Sequence, residues 1–86
     1  MKKKVLIADD EPSIIDIYST VLKAAGFLVV IANDGEEALK KSLAEKPDLI
    51  LLDISMPVMD GLEMLEKLRQ ENEYGKNFME WERLPD

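Results

Sequence analysis

The sequence predicts an α/β fold: a three-layer arrangement around a parallel sheet, built as βαβαβα with strand order 2-1-3. Three observations carry this. Short apolar runs without polar alternation recur along the chain, as strands covered on both faces require. Stretches with helical apolar spacing separate them. Each run ends in acidic or turn-forming residues, which is punctuation between elements.

The first run is Val5-Leu6-Ile7-Ala8, stopped by Asp9-Asp10. A helix follows over residues 12–25, with Ile14, Ile15, Tyr18, Val21, Leu22 and Ala25 on one wide stripe. Pro12 suits its first turn, where no backbone N–H is needed, and Gly26 suits the left-handed residue beyond its end. The second run is Phe27 to Ala32, bounded by Asn33-Asp34-Gly35. Asn33 or Asp34 can cap the second helix, whose first turn carries Glu36 and Glu37 where the helix dipole favours acids. Its inward face is Ala38, Leu39 and Leu43. The third run is Leu49-Ile50-Leu51-Leu52, opened by Pro47-Asp48 and closed by Asp53. Asp60 can cap a third helix from about Gly61, with Leu62, Leu65 and Leu68 on its stripe.

Length and composition bound the function. With 86 residues, 47% hydrophobic and 34% charged, the chain reads as one small globular unit with a thin core. It contains no Cys and no His. Thiolate and histidine metal sites, catalytic triads and a phosphohistidine within this chain are therefore excluded. The net charge of −7 repels phosphate backbones, so no nucleic-acid partner is expected. Lys2-Lys3-Lys4 is the only basic run, and such runs are usually solvated. The longest apolar run has six residues, against about 20 needed to cross a membrane. No signal peptide is legible either. A cytoplasmic protein with no membrane partner is the expectation.

Right-handed crossovers constrain the topology, and with the second strand on one side of the first and the third on the other the order is 2-1-3. The chain reverses direction beside the first strand, and ligands in such sheets bind there, at the carboxyl ends of the strands. Asp9, Asp10 and Asp53 converge at that point. Any one of them alone is usually a turn former or a helix cap. Two carboxylates about 4 Å apart repel by roughly 4 kcal/mol at an effective dielectric near 20, so one takes up a proton or a cation sits among them. Hard oxygen ligands in a small cluster suit Mg²⁺. A carboxylate beside such an ion can attack phosphorus. Met56, Met59 and Met64 read as packing residues.

Three segments carry a resemblance: Val5 to Pro12, Ala32 to Leu39, and Pro47 to Gly61 with its Asp53…Met56-Pro57…Met59-Asp60-Gly61 pattern. Over about residues 3–72 they resemble the receiver domain of two-component response regulators, the chemotaxis-regulator type included. The resemblance implies a flavodoxin-like fold. It implies that Asp53 is the phosphoacceptor, attacking the phosphohistidine of a sensor histidine kinase or phosphotransfer protein. Asp9, Asp10, Asp53 and the Ser55 backbone carbonyl are then the Mg²⁺ ligands. The chain on this reading is a phosphoacceptor and not an enzyme. Pro57 and Gly61 shape the loop after Asp53.

The resemblance stops after the third unit, which divides the chain into a partial receiver, residues 1–75, and a divergent tail, residues 76–86. The family's fourth strand carries a Ser or Thr that bonds the phosphoryl group, and its fifth a Lys that pairs with the phosphoaspartate. Neither has a matching position, and Lys76, the nearest lysine in sequence, follows the third helix. The tail contains no run of four β-formers and does not read as a strand. Phosphorylation is then expected to be slow, and Leu49–Leu52 to be an open edge. A homo-oligomer is expected, through that edge or through a helical tail presenting Phe78, Trp81 and Leu84. An alternative is a receiver-derived unit with no phosphotransfer, acting in assembly. A Mg²⁺-dependent phosphohydrolase is disfavoured, because Ile54-Ser55 places no carboxylate two residues beyond Asp53.

Overall fold

The computed structural model describes residues 2–71 and 80–84. The elements run β1 (Lys4–Ala8), α1 (Pro12–Ala24), β2 (Leu28–Ala32), α2 (Gly35–Glu45), β3 (Leu49–Leu52), α3 (Gly61–Glu71) and β4 (Glu80–Arg83). The sheet order is β2-β1-β3-β4 and every pairing is parallel. The expected 2-1-3 order is thus present, with one more strand beside it.

Alternation along each strand sorts the core into two layers. Leu6, Ala8, Ala32, Ile50 and Leu52 face α2 and α3, where Ala38, Met64, Leu65 and Leu68 are buried. Val5 and Ile7 face the other way, against Ile15 with Ile14, Tyr18 and Leu22 of α1. One helix covers one face and two cover the other, as right-handed crossovers demand. Met56 and Met64 are buried and Met59 packs half-buried beside them, so the methionines are packing residues.

Local chemistry sets the element ends. Pro12 stands in the first turn of α1. At its other end the Phe27 N–H bonds the Leu22 carbonyl and the Gly26 N–H the Lys23 carbonyl, a paired closure around Gly26 at φ +94°. Asp34 caps α2, its side chain accepting from the Glu37 N–H at 2.8 Å. Asp60 does the same for α3 through the Glu63 N–H at 2.8 Å.

Two stripe assignments are corrected. Val21 is 62% exposed and Leu62 is 56% exposed. A helix lying on a sheet buries a limited stripe. In α1 that stripe turns toward buried Ser19 and away from Val21 and Ala25; in α3 it centres on Met64, Leu65 and Leu68. Phe27 lies just outside β2 and is exposed.

The larger correction concerns the tail. Glu80–Arg83 is a strand, pairing parallel to β3 in the register Leu49↔Glu80 to Leu52↔Arg83. Leu49–Leu52 is therefore not an open edge, and the oligomer expected through it loses its basis. Nor is this part of the tail helical. Trp81 packs toward the α2–α3 layer and Leu84 toward α1, the opposite faces that an odd separation gives in a strand. A run of four β-formers marks a strand buried on both faces. A short edge strand needs only one or two apolar anchors and tolerates charge. Phe78 and Lys76 lie outside the described residues.

Candidate functional site

The site is built at the carboxyl ends of β1 and β3. The Asp9 N–H bonds the Ala32 carbonyl at 3.1 Å and the Asp53 N–H bonds the Ala8 carbonyl at 2.9 Å. The ladder thus continues one residue beyond the strands and carries these aspartates to one rim. Carboxylate oxygens of Asp9, Asp10 and Asp53 lie within 4.8 Å of one another. The structure brings together all three residues expected from sequence.

Their surroundings differ. Asp9 is buried, Asp53 half-buried and Asp10 exposed. Burial pushes the Asp9 carboxyl above its usual range. The charges of Asp53 and Asp10, and hydrogen bonding with Asp10, push it the same way. The Glu11 N–H, donating to Asp9 Oδ1 at 2.9 Å, opposes this by favouring the anion. Asp53 Oδ1 accepts from the Ser55 N–H at 3.1 Å. That bond orients the carboxylate and leaves its second oxygen for other partners.

The loop after Asp53 is held by close backbone packing. The Gly61 N–H bonds the Ile54 carbonyl at 3.0 Å. A Cβ on Gly61 would stand 2.6 Å from the Asp53 carbonyl oxygen, so only glycine allows this approach. The Met59 N–H bonds the Pro57 carbonyl at 2.7 Å, closing a tight turn around Val58 at φ 70°. A β-branched residue is rarely held there. The sequence reading missed Gly35: its missing side chain leaves room for the Met59 carbonyl, and so docks the start of α2 on this loop. The signal available was a glycine directly after a capping aspartate. Leu84, one residue beyond the last β3–β4 pair, donates its N–H to the Leu52 carbonyl at 2.8 Å and is buried. An apolar side chain thus ends β4, where the resemblance calls for a hydroxyl.

The family model for the response regulator receiver domain matches residues 5–79. The chain belongs to the response regulator receiver domain family. Among similar proteins, the alkaline phosphatase synthesis transcriptional regulatory protein PhoP of Bacillus subtilis is 51% identical over 71 residues, covering 83% of this chain and 30% of that protein. A probable transcriptional regulator, ycf27, of Guillardia theta is 47% identical over 72 residues, covering 84% of this chain and 28% of that protein. The chain therefore spans less than a third of the length of these curated relatives. Among solved structures, the chemotaxis response regulator CheY4 of Vibrio cholerae superposes with a TM-score of 0.88 at 36% identity, over 96% of this chain and 68% of that one. The N-terminal domain of a response regulator receiver protein from Methanoculleus marisnigri gives 0.78 at 33% identity, over 96% and 85%. The receiver fold is flavodoxin-like, with its acidic cluster at the switch point. Among the described residues no helix is long and apolar enough to cross a membrane.

Proposed function

We propose that this receiver is a phosphoacceptor, taking a phosphoryl group on Asp53 from the phosphohistidine of a sensor histidine kinase or phosphotransfer protein. The observation that carries the reading is the convergence of Asp9, Asp10 and Asp53 within 4.8 Å at the switch point. The donor set is all oxygen, which fits Mg²⁺ rather than a soft metal. Asp9, Asp10, Asp53 and the Ser55 backbone carbonyl would hold it. When bound, the ion supplies neutralisation of the charge on the transferring group.

The protein's own residues do the rest. The Ser55 N–H holds one oxygen of Asp53 and leaves the other to form the oxygen–phosphorus bond as the nitrogen–phosphorus bond of the donor breaks. The product is an aspartyl phosphate, and the donor histidine regains its free ring nitrogen. The Gly61 contact with the Asp53 carbonyl keeps the loop close to the site. In this role the chain is a substrate of its kinase and not an enzyme. With Leu84 at the end of β4 in place of a hydroxyl, transfer is slow unless another chain supplies that group. Any DNA contact of a regulator built like the curated relatives belongs to sequence outside these 86 residues, because this chain carries −7.

The same leucine favours a second reading: a receiver-derived unit without phosphotransfer that serves in assembly. Beryllofluoride, a phosphoryl mimic, separates the two. With Mg²⁺ present, amide NMR shifts around Asp53 are expected to saturate and to vanish in Asp53→Asn. Absence of shifts at millimolar Mg²⁺ and fluoride supports the second reading.

A further inference from the structure

The C-terminal end of the outer edge of β2 is engaged by a pair of side chains from α2. The Leu28 N–H bonds the Lys3 carbonyl at 2.9 Å, and the Ala32 carbonyl accepts from the Asp9 N–H at 3.1 Å. Leu28, Val30 and Ala32 thus turn their backbone groups toward β1. Alternation turns those of Val29, Ile31 and Asn33 outward. Lys41 Nζ donates to the outward Ile31 carbonyl. Glu37 Oε1 accepts from the outward Asn33 N–H at 3.2 Å. Glu37 and Lys41 are themselves ion-paired at 3.2 Å, one helical turn apart.

In a parallel ladder one residue of an added strand donates to the carbonyl of residue i and accepts from the N–H of residue i+2. Lys41 and Glu37 make those two bonds, to Ile31 and Asn33. We infer that the Glu37–Lys41 pair imitates a neighbouring strand and bars strand addition at the β2 edge, and that its removal opens this edge to the β2 edge of a second copy. Glu37 also sits at the third position of α2, where a glutamate commonly returns to the backbone N–H of the capping residue. Here it bonds the residue before the cap, Asn33, and capping gives no role to the Lys41 bond. Once the Ile31 carbonyl and the Asn33 N–H are freed, they join the outward groups of Val29 and the Ile31 N–H in a row of donors and acceptors that a second copy presents identically.

The test uses the whole chain at physiological ionic strength. In the wild type the Asn33 amide is expected to be protected from hydrogen exchange. Glu37→Gln, which keeps an acceptor oxygen, retains that protection, and Glu37→Met speeds exchange about tenfold or more. In sedimentation velocity, Glu37→Met combined with Lys41→Met is expected to associate at concentrations where the wild type does not. The Val29 and Ile31 amides should gain protection as that association proceeds. A wild-type Asn33 amide exchanging as in an open chain overturns the proposal, whether or not the double variant folds. So does association that leaves the Val29 and Ile31 amides unchanged, or a folded double variant that sediments as the wild type.

Discussion

Replacing Asp9 with asparagine should stabilise the protein, and the size of the gain follows from the site. Asp9 is 3% exposed and its carboxylate lies within 4.8 Å of those of Asp10 and Asp53. Two unit charges about 4.8 Å apart repel by roughly 3.5 kcal/mol at an effective dielectric near 20, and by about 1 kcal/mol in water. Asp10 is exposed and Asp53 half-buried, so solvent pulls both repulsions toward the lower figure. Asparagine keeps an oxygen for the Glu11 N–H but loses the charge on it, which costs about 1 kcal/mol. The net gain is about 1–3 kcal/mol, or about 5–15 °C in Tm for a domain of this size.

Its pH dependence has a definite sign. Burial holds the Asp9 carboxyl above its ordinary value of 3.8. The folded protein therefore takes up this proton at higher pH than the unfolded chain does. The contribution of Asp9 to stability rises as pH falls through that window, the reverse of an ion-paired aspartate. The gap between Asp9→Asn and wild type should be full at pH 7 and shrink toward pH 3. Thermal melts in chelator at the two pH values measure it. Added Mg²⁺ should narrow the gap at neutral pH by stabilising the wild type more. An equal gap at both pH values, or an asparagine variant less stable at pH 7, refutes the electrostatic account.

Four further outcomes are expected from thermal or denaturant unfolding. Val58→Gly relieves a β-branched residue at φ 70° and should be neutral to stabilising by about 1 kcal/mol, since the strain released exceeds the added chain entropy only modestly. Gly61→Ala drives a Cβ to 2.6 Å from the Asp53 carbonyl oxygen and should cost about 2 kcal/mol or more, while shifting amide resonances of Asp53. Leu84→Ala removes a side chain that is 2% exposed and should cost about 2–4 kcal/mol; an unchanged melt would mean that the tail does not cover β3 in solution. Ser42→Ala removes a buried hydroxyl that finds no hydrogen-bond partner among the described residues and should stabilise by about 1 kcal/mol.

The first three strand–helix units were legible because their signals are local and agree. β1, β2 and β3 are continuous apolar runs, and Pro12, Asp34 and Asp60 sit where helices begin. The acidic trio was legible because the 2-1-3 order makes β1 and β3 neighbours, so residues 44 positions apart, Asp9 and Asp53, meet at one rim. Exposure of Val21 and Leu62 was not legible, because helical spacing marks a stripe but not how much of it the sheet can cover. Nor was the turn at Val58, whose positive φ is set by what packs around the loop.

What the sequence determined by itself is the class of fold, the succession of its first three strand–helix units and the identity of the acidic residues at the switch point, since periodicity and turn chemistry act over a few residues. Tertiary structure alone decided the strand role of Glu80–Arg83, the apolar end it gives the site at Leu84, and the engagement of the C-terminal end of the β2 edge by Glu37 and Lys41. A short charged segment has no strong preference of its own. It becomes a strand because β3 offers it a row of unpaired backbone groups, and that offer exists only once the sheet has formed.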